Sequence, residues 1–240
     1  MLCASCFTAR DFNSIGLFKD RCFIYGYFPL LEHFDKKQRK DDVVHILWAG
    51  RELCWKHPEY AFYAAKLLYD SRIAFDVKIV STTNNEINKL ISENQNEPWF
   101  SNISFIHPMP NKDLQSLMYE SDIFILSSDK TEGWGAVVNE AMNAGCCPVV
   151  SANAGCSGYL INDSKNGILF HSKEDFSSKL LNCIFNKEYK TLGENAALTI
   201  QNIWNEKTAV SNLCRVFNCI LNNIDLPIDL INKGPGTKIL

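Results

Sequence analysis

Residues 43 to 225 predict an α/β fold, a doubly wound parallel sheet with helices added at its C-terminal end. Three observations carry this. Short β-branched runs alternate with longer helix-period stretches from Val43 onward, the pattern of a parallel sheet covered on both faces. Beyond Phe170 the pattern turns wholly helical. The 240 residues suit one well-buried domain with a small appendage, since single domains usually run to about 100–200 residues.

The chain opens with residues 1–35, an amphipathic stretch followed by Cys22 to Tyr27 and then Phe28-Pro29. One strand and one helix cannot bury a core of their own, so this piece must pack on the main domain or on something absent. The charged run KKQRKDD, residues 36–42, reads as a linker. Strands are then expected at Val43–Ala49, Phe75–Ser81, Ile103–Ile106, Ile123–Ser127, Cys147–Ser151 and Gly167–Phe170. Helices are expected between them at Glu59–Ser71, Asn84–Asn94, Asn111–Tyr119 and Gly135–Ala144. Three more follow, at Lys173–Phe185, Tyr189–Ile203 and Glu206–Leu221, before a proline- and glycine-containing tail, residues 226–240, expected to be mobile.

Composition removes several classes of function. With 24 basic and 27 acidic side chains the formal charge is −3, so the field that nucleic acid or anionic lipid would need is missing and no nucleic-acid partner is expected. The ten cysteines lie mostly in apolar runs without regular spacing, as small buried hydrophobes do. Cys3 and Cys6 have C-x-x-C spacing but no second pair, so packing is the better reading than metal or redox use. No start of signal-peptide type and no long apolar run is present, and a reducing cytoplasm is the expected setting. Peripheral contact with the inner face of a membrane, through a domain not in this chain, is left open.

The most informative segment is Ser127 to Pro148, SSDKTEGWGAVVNEAMNAGCCP, which follows an apolar strand and opens a helix at its glycines. A helix start leaves amide donors unpaired and adds about half a positive charge, which suits an anion. Gly133 and Gly135 let a phosphate approach the backbone closely, and the amides of Gly135 and Ala136 complete the anion site. Glu132 stands before the helix and Glu140 more than one turn inside it. The first can reach the sugar end of a bound nucleotide sugar, and the second can accept hydrogen bonds from a ribose diol.

This segment resembles the E-x7-E signature of glycosyltransferase family 4, usually E-G-F/W-G-x-x-x-x-E-A-M-x-x-G. It is present as Glu132-Gly133-Trp134-Gly135 through Glu140-Ala141-Met142-Asn143-Ala144-Gly145, with Pro148-Val149-Val150 after it. Upstream, Gly50-Arg51-Glu52-Leu53-Cys54-Trp55-Lys56 is similar to the family's G-R-L-x-x-x-K, with Glu52 where leucine is usual. Ile106-His107-Pro108-Met109-Pro110-Asn111 resembles the strand and loop that hold the base, and a glutamate common in the wider family is replaced by Gly158. Some transferases of capsule and cell-surface polysaccharides share that departure and the Gly26-Tyr27-Phe28-Pro29 block.

The resemblance implies a Rossmann-like domain, the C-terminal half of a GT-B fold, in a retaining enzyme. It moves a hexose from a nucleoside-diphosphate sugar to a saccharide or lipid-linked acceptor. Arg51 and Lys56 would then stabilise the leaving diphosphate, Glu132 would orient the sugar, Glu140 would hold the ribose, and Met109 would lie near the base. Two cations on the diphosphate do the work of a divalent ion, so no metal and no other cofactor is expected. Residues 1–35 would be the remnant of the acceptor-binding N-terminal domain. Three explanations stand for the missing remainder: a fragment, a split enzyme whose other half is a separate polypeptide, or a degenerate protein. A non-catalytic module that binds nucleotide sugar and needs a partner is the alternative function.

Overall fold

The computed structural model describes residues 1–35, 42–51, 54–82, 85–227 and 234–239. Its centre is a six-stranded parallel sheet of β3 (Val44–Ala49), β4 (Phe75–Val80), β5 (Ile103–Ile106), β6 (Ile123–Leu126), β7 (Cys147–Ser151) and β8 (Ile168–Phe170), in the order β5-β4-β3-β6-β7-β8. The strands are apolar on both faces because both faces are covered. On β6, Ile123 and Ile125 join one core, Phe124 and Leu126 the other, and none is more than 2% exposed.

The first core is closed by α2 (Glu59–Asp70) and α7 (Lys173–Phe185). On α2, Ala61, Phe62, Ala64, Ala65 and Leu68 are buried, the i, i+3, i+4, i+7 stripe of a helix laid on a sheet. A shorter helix, α3 (Asn85–Asn94), adds Ile87 to the same core. The second core is closed by α4 (Asn111–Tyr119), α5 (Val137–Asn143), α6 (Ser157–Leu160) and α8 (Glu188–Asn202). Two of the later helices start on side-chain caps: Ser172 Oγ accepts from the Asp175 amide before α7, and Asn205 before α9 (Glu206–Leu221) accepts from Thr208.

The N-terminal piece forms β1 (Leu2–Cys3), α1 (Thr8–Ser14) and β2 (Phe23–Ile24), with β1 and β2 paired in parallel. It lies across the second layer. The Cys6 amide donates to Gly155 O at 2.9 Å, Gln115 Nε2 donates to Leu30 O at 2.9 Å, and Asn139 Nδ2 donates to Tyr27 O at 3.3 Å. Phe28 stacks on Trp204 at 6.2 Å between centroids.

Contrary to expectation, residues 234–239 are not a mobile end: Ile24 donates to Thr237 O and Gly236 to Ile24 O, both at 2.7 Å, and Phe23 bridges Lys238 antiparallel. The tail thus continues the small β1-β2 sheet and satisfies backbone groups that a lone two-stranded ribbon would leave open. The expected linker lies outside the described residues but for Asp42, which meets Lys187 Nζ at 3.1 Å. Helix α5 begins at Val137, two residues later than the glycine pattern suggests, so Glu140 sits in its first turn and not deeper.

Candidate functional site: the loops beyond β3 and β6

In a doubly wound sheet the strand order reverses at one point, and the loops beyond the strand ends diverge there to leave a crevice. Here that point lies between β3 and β6. The loop after β3 turns through a short 3-10 segment, Cys54–Lys56, into α2, and the loop after β6 runs to α5. Ser127 locks them together. Its Oγ accepts from Trp48 Nε1 at 3.1 Å and lies 2.8 Å from the carbonyl oxygens of both Lys56 and His57, and the Asp129 amide donates to Trp55 O at 3.0 Å.

Lys56 and Glu132 are brought together by this lock. Lys56 Nζ donates to Glu132 Oε2, and Ser128 Oγ donates to the same oxygen at 3.1 Å. Each side chain keeps only 13% of its surface. A pair so sheltered is a preformed unit in which each charge is balanced by the other. Arg51 is exposed at the mouth of the same loop, and Glu52 lies outside the described residues.

The glycines set the path between the two carboxylates. Gly135 has φ +92°, a conformation that L side chains avoid. A Cβ on Gly155 would fall 1.9 Å from Gly133 O, because the loop before α6 pairs directly with the motif: Gly155 donates to Glu132 O at 3.0 Å and Cys156 to Trp134 O at 3.1 Å. Among the described residues, no acceptor meets the amides of Gly135 or Ala136. Trp134 points away from this crevice. Its Nε1 donates to Asn139 Oδ1 at 2.8 Å and its ring packs near Tyr27 and Trp204.

Glu140 sits apart from the charge pair. It is 6% exposed, and Asn111 Nδ2 donates to its Oε1 at 2.9 Å. Burial raises its carboxyl above the usual range, and the Asn111 hydrogen bond only partly offsets this. Gln115 holds Asn111 in turn, donating to its Oδ1 at 2.6 Å. Gln115 is itself anchored to the N-terminal piece through Leu30 O and the Glu32 amide. Asn111, Gln115, Ser127 and Ser128 were not singled out from sequence. The i, i+4 spacing of Asn111 and Gln115 on one helix was the available signal, and it means little until Glu140 is known to face them. Met109 is half-buried on the second core, two residues before Asn111, while His107 is exposed beside a recess of about 100 Å³ at the ends of β4 and β5.

A family model described as glycosyl transferases group 1 matches residues 31–199, which include Arg51, Lys56, Asn111, Glu132 and Glu140. The chain belongs to the group 1 glycosyltransferases. The spore coat protein SA of Bacillus subtilis (strain 168) is 36% identical over 73 residues, 30% of this chain and 19% of that protein. TarM superposes with a TM-score of 0.72 at 17% identity over 90% of this chain and 43% of TarM, and a point mutant of the S. aureus TarM is known in complex with fondaparinux, alpha-GlcNAc-glycerol and UDP. The C-terminal domain of the group 1 protein LpcC from Francisella tularensis superposes with a TM-score of 0.56 at 20% identity, over 68% of this chain and 87% of that domain. The fold of this group 1 chain is therefore the parallel, Rossmann-like α/β fold of the GT-B glycosyltransferases. The chain spans less than half the length of the spore coat protein and of TarM.

Gly158 has a physical reason. A Cβ there would come within 2.9 Å of Cys6 Cβ, so the N-terminal piece fills the space that a side chain would need. No helix among the described residues is long and apolar enough to cross a membrane.

Proposed function

We propose that this chain is the donor-binding half of a retaining, metal-independent hexosyltransferase that works on surface polysaccharide from the cytoplasmic side. The observation that carries the reading is the sheltered Lys56–Glu132 pair at the strand-order reversal, next to amides that meet no acceptor among the described residues and ahead of a buried carboxylate on the same motif. A nucleoside diphosphate sugar fits that order of groups. Lys56, with Arg51 at the loop mouth, takes the negative charge that builds on the leaving diphosphate, and the amides of Gly135 and Ala136 take its other oxygens. Glu132, released from Lys56, orients the hexose hydroxyls. Glu140 accepts from the ribose diol, with Met109 near the base. The leaving phosphate itself assists the acceptor hydroxyl, so no separate protein base is required, and the two side-chain cations do the work of a metal. UDP in the TarM complex supports a uridine donor as the first to try.

The acceptor, a saccharide or a lipid-linked one, is left to the portion of the enzyme that this chain does not span. The β1-β2 ribbon and α1, too small for a core, fit the remnant of that other half, supplied either in a longer chain or by a separate polypeptide.

The test is a calorimetric titration of the chain with UDP, GDP, ADP and their glucose conjugates, with and without EDTA. One nucleotide should bind regardless of EDTA. Lys56→Ala and Arg51→Ala should each weaken it by about tenfold, the loss of one charge-assisted bond. Full affinity in both variants, or binding that EDTA abolishes, sinks the reading.

A further inference from the structure

His57 follows Lys56 directly and stands in the left-handed region, with φ 50°. A side chain there costs about 1 kcal/mol or more, so the surroundings must hold it. Three contacts do. The ring Nδ1 lies 2.9 Å from Glu59 Oε1, Nε2 lies 3.5 Å from Asp129 Oδ2, and the His57 carbonyl oxygen lies 2.8 Å from Ser127 Oγ. Glu59 opens α2, and Asp129 lies on the β6–α5 loop three residues before Glu132. A neutral imidazole has one N–H, so carboxylates at both nitrogens are satisfied together only by the cation.

We propose that the His57 imidazolium is a positioning residue for donor binding, pinning the turn that carries Lys56 to the loop that carries Glu132. The inference rests on the donor-site reading above. Glu59 from α2 and Asp129 from the loop are the charged groups at the ring, while Lys56 and Glu132 pair with each other beside them. Burial works against the ring's charge, but the hydrogen bonds and charges of Glu59 and Asp129 outweigh it and hold His57 above the ordinary histidine value. Asp129 is held low, first by the Thr131 amide, which donates to Oδ1 at 2.8 Å, and then by His57. A raised folded-state value means that the clamp is complete below about pH 6.5 and is lost as pH rises through that raised value.

The experiment uses the full chain, His57→Asn, which tolerates the left-handed backbone without a charge, and Asp129→Asn. An NMR pH titration should place the His57 imidazole above about 6.5 in the parent and lower in Asp129→Asn. Hydrogen exchange should show protection of the Asp129 amide, bonded to Trp55 O, falling as pH rises above about 6.5 in the parent and flat in His57→Asn. The probes for affinity are UDP-glucose, GDP-glucose and ADP-glucose, whose diphosphates do not titrate in this range. The one that binds should weaken by about two- to fivefold over the same range in the parent and stay constant in His57→Asn. An imidazole at or below the ordinary value, or equal pH profiles in parent and His57→Asn, overturns the proposal. Protection that follows pH while no conjugate binds at any pH overturns the donor-site reading, and the positioning role with it, while the turn-to-loop clamp stands.

Discussion

Glu132 and Glu140 come from one short stretch of chain, and the fold gives them opposite surroundings. Glu132 is matched by Lys56 and Ser128 on the loops beyond β3 and β6, so its charge is balanced before any ligand arrives. Glu140 is buried against the second core with one amide for company, and burial pushes its carboxyl toward the neutral form. The contrast separates two kinds of work. A paired carboxylate can exchange its partner for a ligand at little cost, whereas a buried, under-solvated one gains most from added hydroxyl donors.

The strongest way to break this comparison is to remove the loop that holds both ends in place. Gly155→Ala puts a methyl against Gly133 O, where a Cβ would sit at 1.9 Å, and neither backbone can withdraw without opening the paired loops. A loss of about 3 kcal/mol in urea unfolding is expected, with donor affinity gone. A stable variant that binds normally would show that the pairing of the two loops is dispensable.

A finer cut is Glu140→Gln, which keeps the shape and deletes the charge. Nucleotide affinity should fall about tenfold, since an amide is a poorer acceptor for a diol than a carboxylate. Stability should hold or rise. The sign follows from the raised carboxyl: the folded state binds its proton more tightly than the unfolded one, so stability falls as pH rises from the unfolded value through the folded one. Thermal scans between about pH 4 and 7 should show that fall in the parent, with a smaller fall in Glu140→Gln. A loss of several degrees in the variant at neutral pH would mean that the Glu140 charge holds the fold together and is not simply tolerated.

The smallest effect sharpens the comparison. Asn111→Ala removes the hydrogen bond that partly offsets burial, so Glu140 should titrate higher still and the proton should compete with ribose at the acid end. Nucleotide affinity near pH 5.5 should drop about threefold more than at about pH 7.5, the scale of one neutral hydrogen bond. Equal losses at both pH values would assign Asn111 to packing alone.

Much of this was legible in the linear chain. β5, β7, α4, α7 and α9 have the bounds expected, and the other expected elements shift by only one or two residues, because an apolar run bounded by polar residues is a local signal. Arg51, Lys56, Glu132 and the glycines could be named as candidates because a motif keeps its residues close in sequence, and the fold brings Lys56 to Glu132. The miss at the tail has a different cause. Residues 234–239 carry no strand-like pattern, and they pair with β2 because open backbone groups more than 200 positions away need partners.

The sequence by itself therefore determined the parallel sheet, the order of its elements and the residue types on the loops beyond β3 and β6, since periodicity and motif spacing are properties of neighbours along the chain. Only the tertiary structure decided that Lys56 neutralises Glu132, that Asn111 and Gln115 support Glu140, that His57 lies between two carboxylates, and that Cys6 takes the space above Gly158. Each of these depends on which loops the sheet order brings side by side, and on how much water remains between them once they meet.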